Sequence, residues 1–187
     1  MGNVIAVACS PRADGSSAQI TDAFLDGAMG LSTNIITLYR PMKFKLIKDC
    51  NMCMECKCTG KCVLDDDLSK VLEDIRNADC VVFSAPMYFR APNALYKVLE
   101  DRMYSFLDSA GASTLPSGKK AVIIVTYSDP RSNPDISVKL MKETLEEIGF
   151  EVLDTIEYCD NFGKDPANEN EDLLREVKAL GRTLRNT

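Results

Sequence analysis

The runs Asp79-Cys80-Val81-Val82-Phe83-Ser84-Ala85 and Lys120-Ala121-Val122-Ile123-Ile124-Val125-Thr126 decide the fold. Each is nearly unbroken in Val, Ile and Phe, the pattern of a strand buried on both faces. A sheet is covered on both faces when helices lie above and below it. Working outward, apolar runs at 3–8, 34–38 and 150–158 read as three further strands. Helical periodicity fills the gaps. Residues 16–28 place Ile20, Ala23, Phe24 and Gly27 on one face. A second helix starts after Asp65 or Asp66 as N-cap and repeats Leu68, Val71, Leu72 and Ile75. Others cover 93–107, 136–148 (stopping at Gly149) and 169–184, the last spacing Leu173, Leu174, Val177, Leu180 and Leu184 on one side. Strand then helix, five times over, means parallel strands joined by right-handed helical crossovers. The expected architecture is a three-layer α/β sandwich with a five-stranded parallel sheet in the order 2-1-3-4-5. Ligands then bind at the carboxyl ends of strands 1, 3 and 4.

A length of 187 residues suits one domain, 1–187, with an elaborated loop at about 39–63. The composition is 45% hydrophobic and 27% charged, which supports a packed core. The 28 acids exceed the 22 bases, for a net charge of −6, which argues against nucleic-acid binding. No apolar stretch approaches the roughly 20 residues that span a bilayer, and the chain enters its first strand at Asn3 without a charged leader. A cytoplasmic protein with no membrane partner is expected. There is no histidine, which excludes Ser-His-Asp triads and His-ligated zinc. Against this stand eight cysteines, five of them between Cys50 and Cys62. In a reducing compartment, such crowding points to metal or redox chemistry rather than disulfides. Cys9, Cys80 and Cys159 read as small buried residues.

Three loops at strand ends carry chemistry. After strand 1, Ser10-Pro11-Arg12-Ala13-Asp14-Gly15-Ser16-Ser17-Ala18 leads into a helix. Small residues, a cation and unpaired helix N–H groups make a phosphate cradle. It is neither a dinucleotide fingerprint nor a Walker A loop, and the plainer alternative is a Ser-capped helix. After strand 3, two prolines stiffen Pro86-Met87-Tyr88-Phe89-Arg90-Ala91-Pro92, along which a flat aromatic ligand can lie. The segment 127–134 after strand 4 is a candidate third wall, through Tyr127, Ser128 and Asp129.

The cysteine run Cys50-x2-Cys53-x2-Cys56-x5-Cys62 has the spacing of a local thiolate wrap around a [4Fe–4S] cluster. Zinc and a dithiol switch remain alternatives, although structural zinc sites usually pair two knuckles across a longer gap. Cys58 is a fifth thiol able to replace Cys56 or Cys62. Lys43, Lys45, Lys48, Lys57 and Lys61 flank the run, as counter-charges, as a guide for an acidic ferredoxin, or as a solvated basic loop.

Taken together, Ser10-Pro11-Arg12 with Ser16-Ser17, the run from Cys50 to Cys62 followed by Asp65-Asp66-Asp67-Leu68, and Ala85 to Phe89 with Lys97 and Asp101-Arg102 resemble one family. It is the iron–sulfur flavoprotein branch of the NAD(P)H-dependent FMN reductase-like family. The resemblance implies a flavodoxin-like fold binding FMN beside a [4Fe–4S] cluster, with assembly as a homodimer or homotetramer. It implies that Ser10, Arg12, Ser16, Ser17 and Ala18 hold the FMN phosphate. Pro86, Met87, Tyr88 and Phe89 would line the isoalloxazine ring, and Cys50, Cys53, Cys56 and Cys62 would ligate the cluster. Cys9 stands where the family often has Gly and is expected to crowd the loop. The function implied is flavin-dependent oxidoreduction coupling one-electron to two-electron transfer, with NAD(P)H as a possible donor and a ferredoxin or small molecule as acceptor. A cluster-free NAD(P)H-dependent FMN or quinone reductase and a non-enzymatic zinc-binding module are the rival readings.

Overall fold

The structure, a computed structural model, describes residues 2–30 and 34–184; Met1 and residues 31–33 and 185–187 lie outside the description. Strands β1 (Asn3–Ala8), β2 (Ile35–Tyr39), β3 (Cys80–Tyr88), β4 (Ala91–Pro92), β5 (Lys120–Tyr127) and β6 (Glu151–Cys159) alternate with helices. The helices are α1 (Ser16–Met29), α2 (Cys56–Thr59), α3 (Asp67–Asn77), α4 (Ala94–Met103), α5 (Asp135–Glu147) and α6 (Glu171–Thr183). The parallel part of the sheet runs β2-β1-β3-β5-β6, which is the order expected for five βα units. The two apolar runs that decide the fold become the central strands β3 and β5, paired from Cys80↔Lys120 to Pro86↔Thr126.

Successive side chains of a strand point to opposite faces, so each central strand feeds two cores. Ile5, Val7, Val81, Phe83, Ile123 and Val125 meet α3, α4 and α5 on one face. Val4, Ala6, Val82 and Ile124 meet α1 and α6 on the other. Edge strands β2 and β6 lack a neighbour on one side within the sheet, and their side chains are mostly half-buried or exposed. Among the described residues, no helix is long and apolar enough to cross a membrane.

At the level of the fold, the sequence expectations need several corrections. The sheet has six strands rather than five, because the two-residue β4 folds back antiparallel on β3, pairing Met87 with Pro92 and Tyr88 with Ala91. Pro86, Met87 and Tyr88 are therefore strand, not loop; the turn is made at Phe89, whose φ of 61° is left-handed. The helix expected over 93–107 ends at Met103 and tightens into a 3-10 turn over Tyr104–Phe106. One cation from the cysteine loop bonds the carbonyls of this turn: Lys57 Nζ donates to Tyr104 O and Leu107 O, both at 2.7 Å. The long loop after β2 contains the one-turn α2, closed by the left-handed Gly60 (φ 72°). Cys159 is half-buried at the end of β6, not a core residue.

Candidate functional site

The loop from β1 to α1 builds the anion end of a cleft. Gly15 occupies the N-cap position of α1, no side chain caps the helix, and its first turn carries no acid. A Ser cap is thereby excluded, and the N–H groups of Ser16 and Ser17 have no acceptor within the helix. A Cβ at Gly15 would come within 3.1 Å of Ser10 Oγ, so glycine suits this close approach. Ser10 shapes the loop: its Oγ donates to Arg12 O at 2.7 Å and accepts from Arg12 N at 3.2 Å. The exposed Arg12 guanidinium lies 3.6 Å from the buried carboxylate of Asp160.

Four strand ends surround the cleft, which has a volume of about 430 Å³. Ser10, Pro11, Arg12, Gly15, Ser16 and Ser17 form one wall, and Pro86, Met87 and Tyr88 at the end of β3 form the second. Thr126, Tyr127 and Ser128 at the end of β5 form the third. Burial raises the Tyr127 hydroxyl pKa, helped by Cys159, Glu157 and Asp135, so it stays a neutral donor. Asp129 does not line the cleft; it is paired with Arg131 at 2.8 Å.

Sequence reasoning missed the fourth wall, which is Asp160, Phe162 and Gly163 after β6. Asn161 and Phe162 both have positive φ (48° and 58°), a conformation costing roughly 1–2 kcal/mol per non-glycine residue. Hydrogen bonds hold it in place, from Asp160 N to Tyr127 O and from Phe162 N to Ser128 O, each 2.9 Å. The signal was available: Asp160-Asn161-Phe162-Gly163 is a turn sequence following a strand of the same parallel sheet.

Two expected contacts lie off the cleft lining. Ala18 is fully buried beneath it, its N–H bonded to Gly15 O at 2.9 Å. Phe89 is 97% exposed at the hairpin tip. Cys9 does not crowd the loop. Its side chain joins the α3–α5 core, where burial pushes its thiol pKa up to about 12.

The second site is a small apolar pocket lined by Cys50, Cys53, Cys56 and Cys62, together with Met52, Met54, Leu64, Arg102 and Tyr104. The fifth thiol, Cys58, does not line it and is exposed. Burial raises the Cys56 thiol pKa, Lys57 opposes this, and the neighbouring Cys62, Cys53 and Cys50 raise it further. Met52 and Met54 both take left-handed φ (55° and 62°), which lets so short a segment turn back on itself. Among the described residues, no three Cys, Asp or Glu side chains close on a point where a single ion would sit.

Cationic side chains brace this pocket, Arg102 from its lining and Arg76 and Lys57 from around it. Arg102 is buried and its guanidinium meets Asp66 at 2.8 Å. Burial alone would raise the Asp66 pKa, but Arg102, the Lys48 N–H and Ser69 outweigh it and hold Asp66 below the usual carboxylate range. Asp66 is also the N-cap of α3, in a capping box with Ser69. Arg76 reaches Gly60 O (2.8 Å), Ser105 O (3.3 Å) and Thr114 O (3.2 Å), tying the loop to the end of α4. Lys57 is spent on helix carbonyls and on the Tyr104 ring, 3.4 Å away, so it is not a free surface charge.

The cleft and the cysteine pocket share no lining residue. They are joined through α4. Its N-cap Asn93 donates to Cys9 O at 2.6 Å, and its far end carries Arg102. At 1.5 Å per residue, this helix spans about 15 Å.

Several known proteins are similar to this chain. An iron–sulfur flavoprotein from Methanocaldococcus jannaschii is 32% identical over 101 residues, 53% of this chain and 50% of that protein. One from Clostridioides difficile is 24% identical over 161 residues, 86% of this chain and 68% of that protein. The chain thus spans about half the length of the first of these relatives. An FMN-dependent NADH-azoreductase from Bacillus anthracis, solved in complex with FMN, superposes with a TM-score of 0.77 at 15% identity, covering 100% of both chains. An archaeal flavodoxin superposes with a TM-score of 0.60 at 14% identity, over 98% of this chain and 96% of that one. These structures establish the flavodoxin-like α/β fold. Residues 3–165, which include all four walls of the cleft, match the NADPH-dependent FMN reductase family, and the chain belongs to that family.

Proposed function

We propose that this protein is an FMN-dependent oxidoreductase that also carries a thiolate-held [4Fe–4S] cluster and couples one-electron to two-electron transfer. The observation that carries the cluster is the arrangement of thiols: four of the five crowded cysteines line one apolar pocket and the fifth stays outside. A cubane takes one thiolate at each iron corner, so its ligands surround a volume rather than a point. That fits four thiols from one short loop lining one pocket, whereas structural zinc sites usually pair two knuckles across a longer gap. Clustered free thiols also suit a reducing, cytoplasmic address.

The cleft suits FMN because it offers an anion site at one end and a walled slot at the other. The uncapped start of α1 and Arg12 would receive the phosphate. Gly15 lets the backbone approach, and Ser10 fixes the loop. Met87 and Tyr88, on a strand stiffened by Pro86, would flank the ring system, with Tyr127 and Ser128 opposite. Ala18 would serve by packing the helix start from below. FMN supplies the exchange of a hydride equivalent, or of single electrons, which no side chain of this protein can perform. The protein's part is to orient the ring, anchor the phosphate and limit water at the cleft. No imidazole is required.

NAD(P)H is the proposed donor, and a ferredoxin or small molecule the proposed acceptor. Tyr88, Phe89 and Phe162 are exposed apolar side chains of the kind a second copy covers, which supports a homodimer or homotetramer. Anaerobic purification, with an absorption spectrum and metal count, tests the proposal. The expected result is about one FMN and about four iron and four sulfide per chain. Iron-free protein after anaerobic reconstitution would sink the cluster. A variant Cys53→Ala that still oxidises NAD(P)H at full rate would favour the cluster-free reductase.

A further inference from the structure

Every donor of the Arg102 guanidinium is used, and one of them is aimed at sulfur. Nη1 donates to Lys48 O at 2.7 Å and to Asp66 Oδ2 at 2.8 Å. Nη2 donates to Leu64 O and Asp66 Oδ1, at 3.3 and 3.2 Å. Nε donates to Cys62 Sγ at 3.0 Å. The Arg102 and Asp66 side chains are both fully buried. Two more donors, Lys48 N at 2.7 Å and Ser69 Oγ at 3.2 Å, complete the carboxylate. The group is thus a closed, charge-balanced unit with one remaining outlet, the Nε–H bond to Cys62.

A neutral thiol is a weak acceptor, whereas a thiolate is a strong one. A buried guanidinium committed to sulfur in this way is matched to Cys62 as a thiolate ligand. Cys58, four residues earlier, has no such donor and no place in the pocket. We infer that Arg102 is a positioning residue for the cluster: it selects Cys62 over Cys58 as the fourth ligand, and its N–H···S bond raises the reduction potential of the bound cluster. The inference rests on the cluster reading above. The direction follows from charge. Reduction adds one electron to a group already negative, and a donor on a ligand sulfur favours the more negative state.

The test compares anaerobically reconstituted wild type, Arg102→Lys and Cys58→Ala by iron and sulfide count and by spectroelectrochemical titration with dithionite. Lysine keeps the charge that faces Asp66 but lacks the planar fork that reaches sulfur. Arg102→Lys should shift the oxidised-to-reduced ratio about tenfold toward oxidised, a potential lower by about 59 mV for a one-electron couple. Cys58→Ala should keep its iron and its potential. An unshifted potential in loaded Arg102→Lys overturns the role of Arg102 alone, and loss of iron in Cys58→Ala overturns the selection of Cys62. If Arg102→Lys fails to fold or load, wild type labelled with 15N-arginine decides. Its reduced cluster should show a 15N hyperfine coupling in pulsed EPR, and absence of that coupling overturns the proposal. Iron-free wild type overturns the cluster reading itself, and this inference with it.

Discussion

Arg12 and Asp160 show how one contact sets the chemistry of the cleft. Arg12 was legible as the proposed phosphate partner because it stands between a strand end and a helix start. Its countercharge was not, because Asp160 lies 148 positions away and reaches Arg12 only through the order of the sheet. Removing Arg12 would leave the buried Asp160 carboxylate facing an incoming phosphate with no cation between them. Arg12→Ala should therefore weaken FMN binding by more than a lost neutral contact. Charge-assisted hydrogen bonds contribute about 1.5–3 kcal/mol, corresponding to a ten- to hundredfold rise in Kd. Quenching of flavin fluorescence on titration measures it, and an unchanged Kd would remove Arg12 from the site. The same scale separates the cysteines. Cys9 and Cys80 are core residues with thiol pKa values pushed up to about 12 by burial. Cys80 announces this by its place in the run 79–85, Cys9 follows its strand and was expected to crowd the loop, and Cys159 ends its strand half-buried.

At the scale of elements, α1 and α6 cross at glycines. A Cβ on Gly27 would fall 2.1 Å from Lys178 O, and one on Gly181 would fall 2.1 Å from Phe24 O. Both neighbours are backbone and cannot rotate away, so an added methyl must push the helices apart. Gly181→Ala should cost about 1–3 kcal/mol, as overpacking does. Thermal denaturation should show a Tm lower by roughly 2–4 °C per kcal/mol for a chain of this size. The displaced α1 also carries Ser16 and Ser17, so flavin affinity should fall with it. Gly27 was readable on the apolar face of its helix, but its reason was not, since that reason is the partner helix. The end of α4 was equally hidden: periodicity extends the helix to 107, but the chain tightens into a 3-10 turn over Tyr104–Phe106, beside which Lys57 from the cysteine loop bonds Tyr104 O and Leu107 O.

At the scale of the whole molecule, the Arg102–Asp66 pair ties the cysteine loop to α3 and α4. The folded Asp66 carboxyl titrates below its unfolded value near about 3.9, so acid protonates the unfolded chain first. The stability this adds is complete above about pH 4 and is lost as pH falls through the folded value. Asp74 adds to the same window: burial works to raise its pKa, but Lys70 and Tyr39 hold it lower. Denaturant melts of the metal-free protein from pH 7 to pH 2.5 should show a flat midpoint down to about pH 4 and a steep fall below. Asp66→Asn should flatten that fall, at the cost of stability at neutral pH, because the buried Arg102 loses its countercharge.

The strand order, the two covered faces of the sheet, the polar loop before α1 and the crowded thiols followed from the sequence alone. Each depends on local periodicity or on residues close together in the chain, where spacing fixes geometry. Tertiary structure alone decided which cysteine stays outside the pocket, where α4 ends and what forms the fourth wall of the cleft. It also brought Arg102 to Cys62 across 40 residues. Contacts of that kind depend on how strands are ordered and helices crossed, and no periodicity in the chain encodes them. The unbroken runs at 79–85 and 120–126 specified a sheet buried on both faces; the folding of that sheet determined which side chains would meet at its edge.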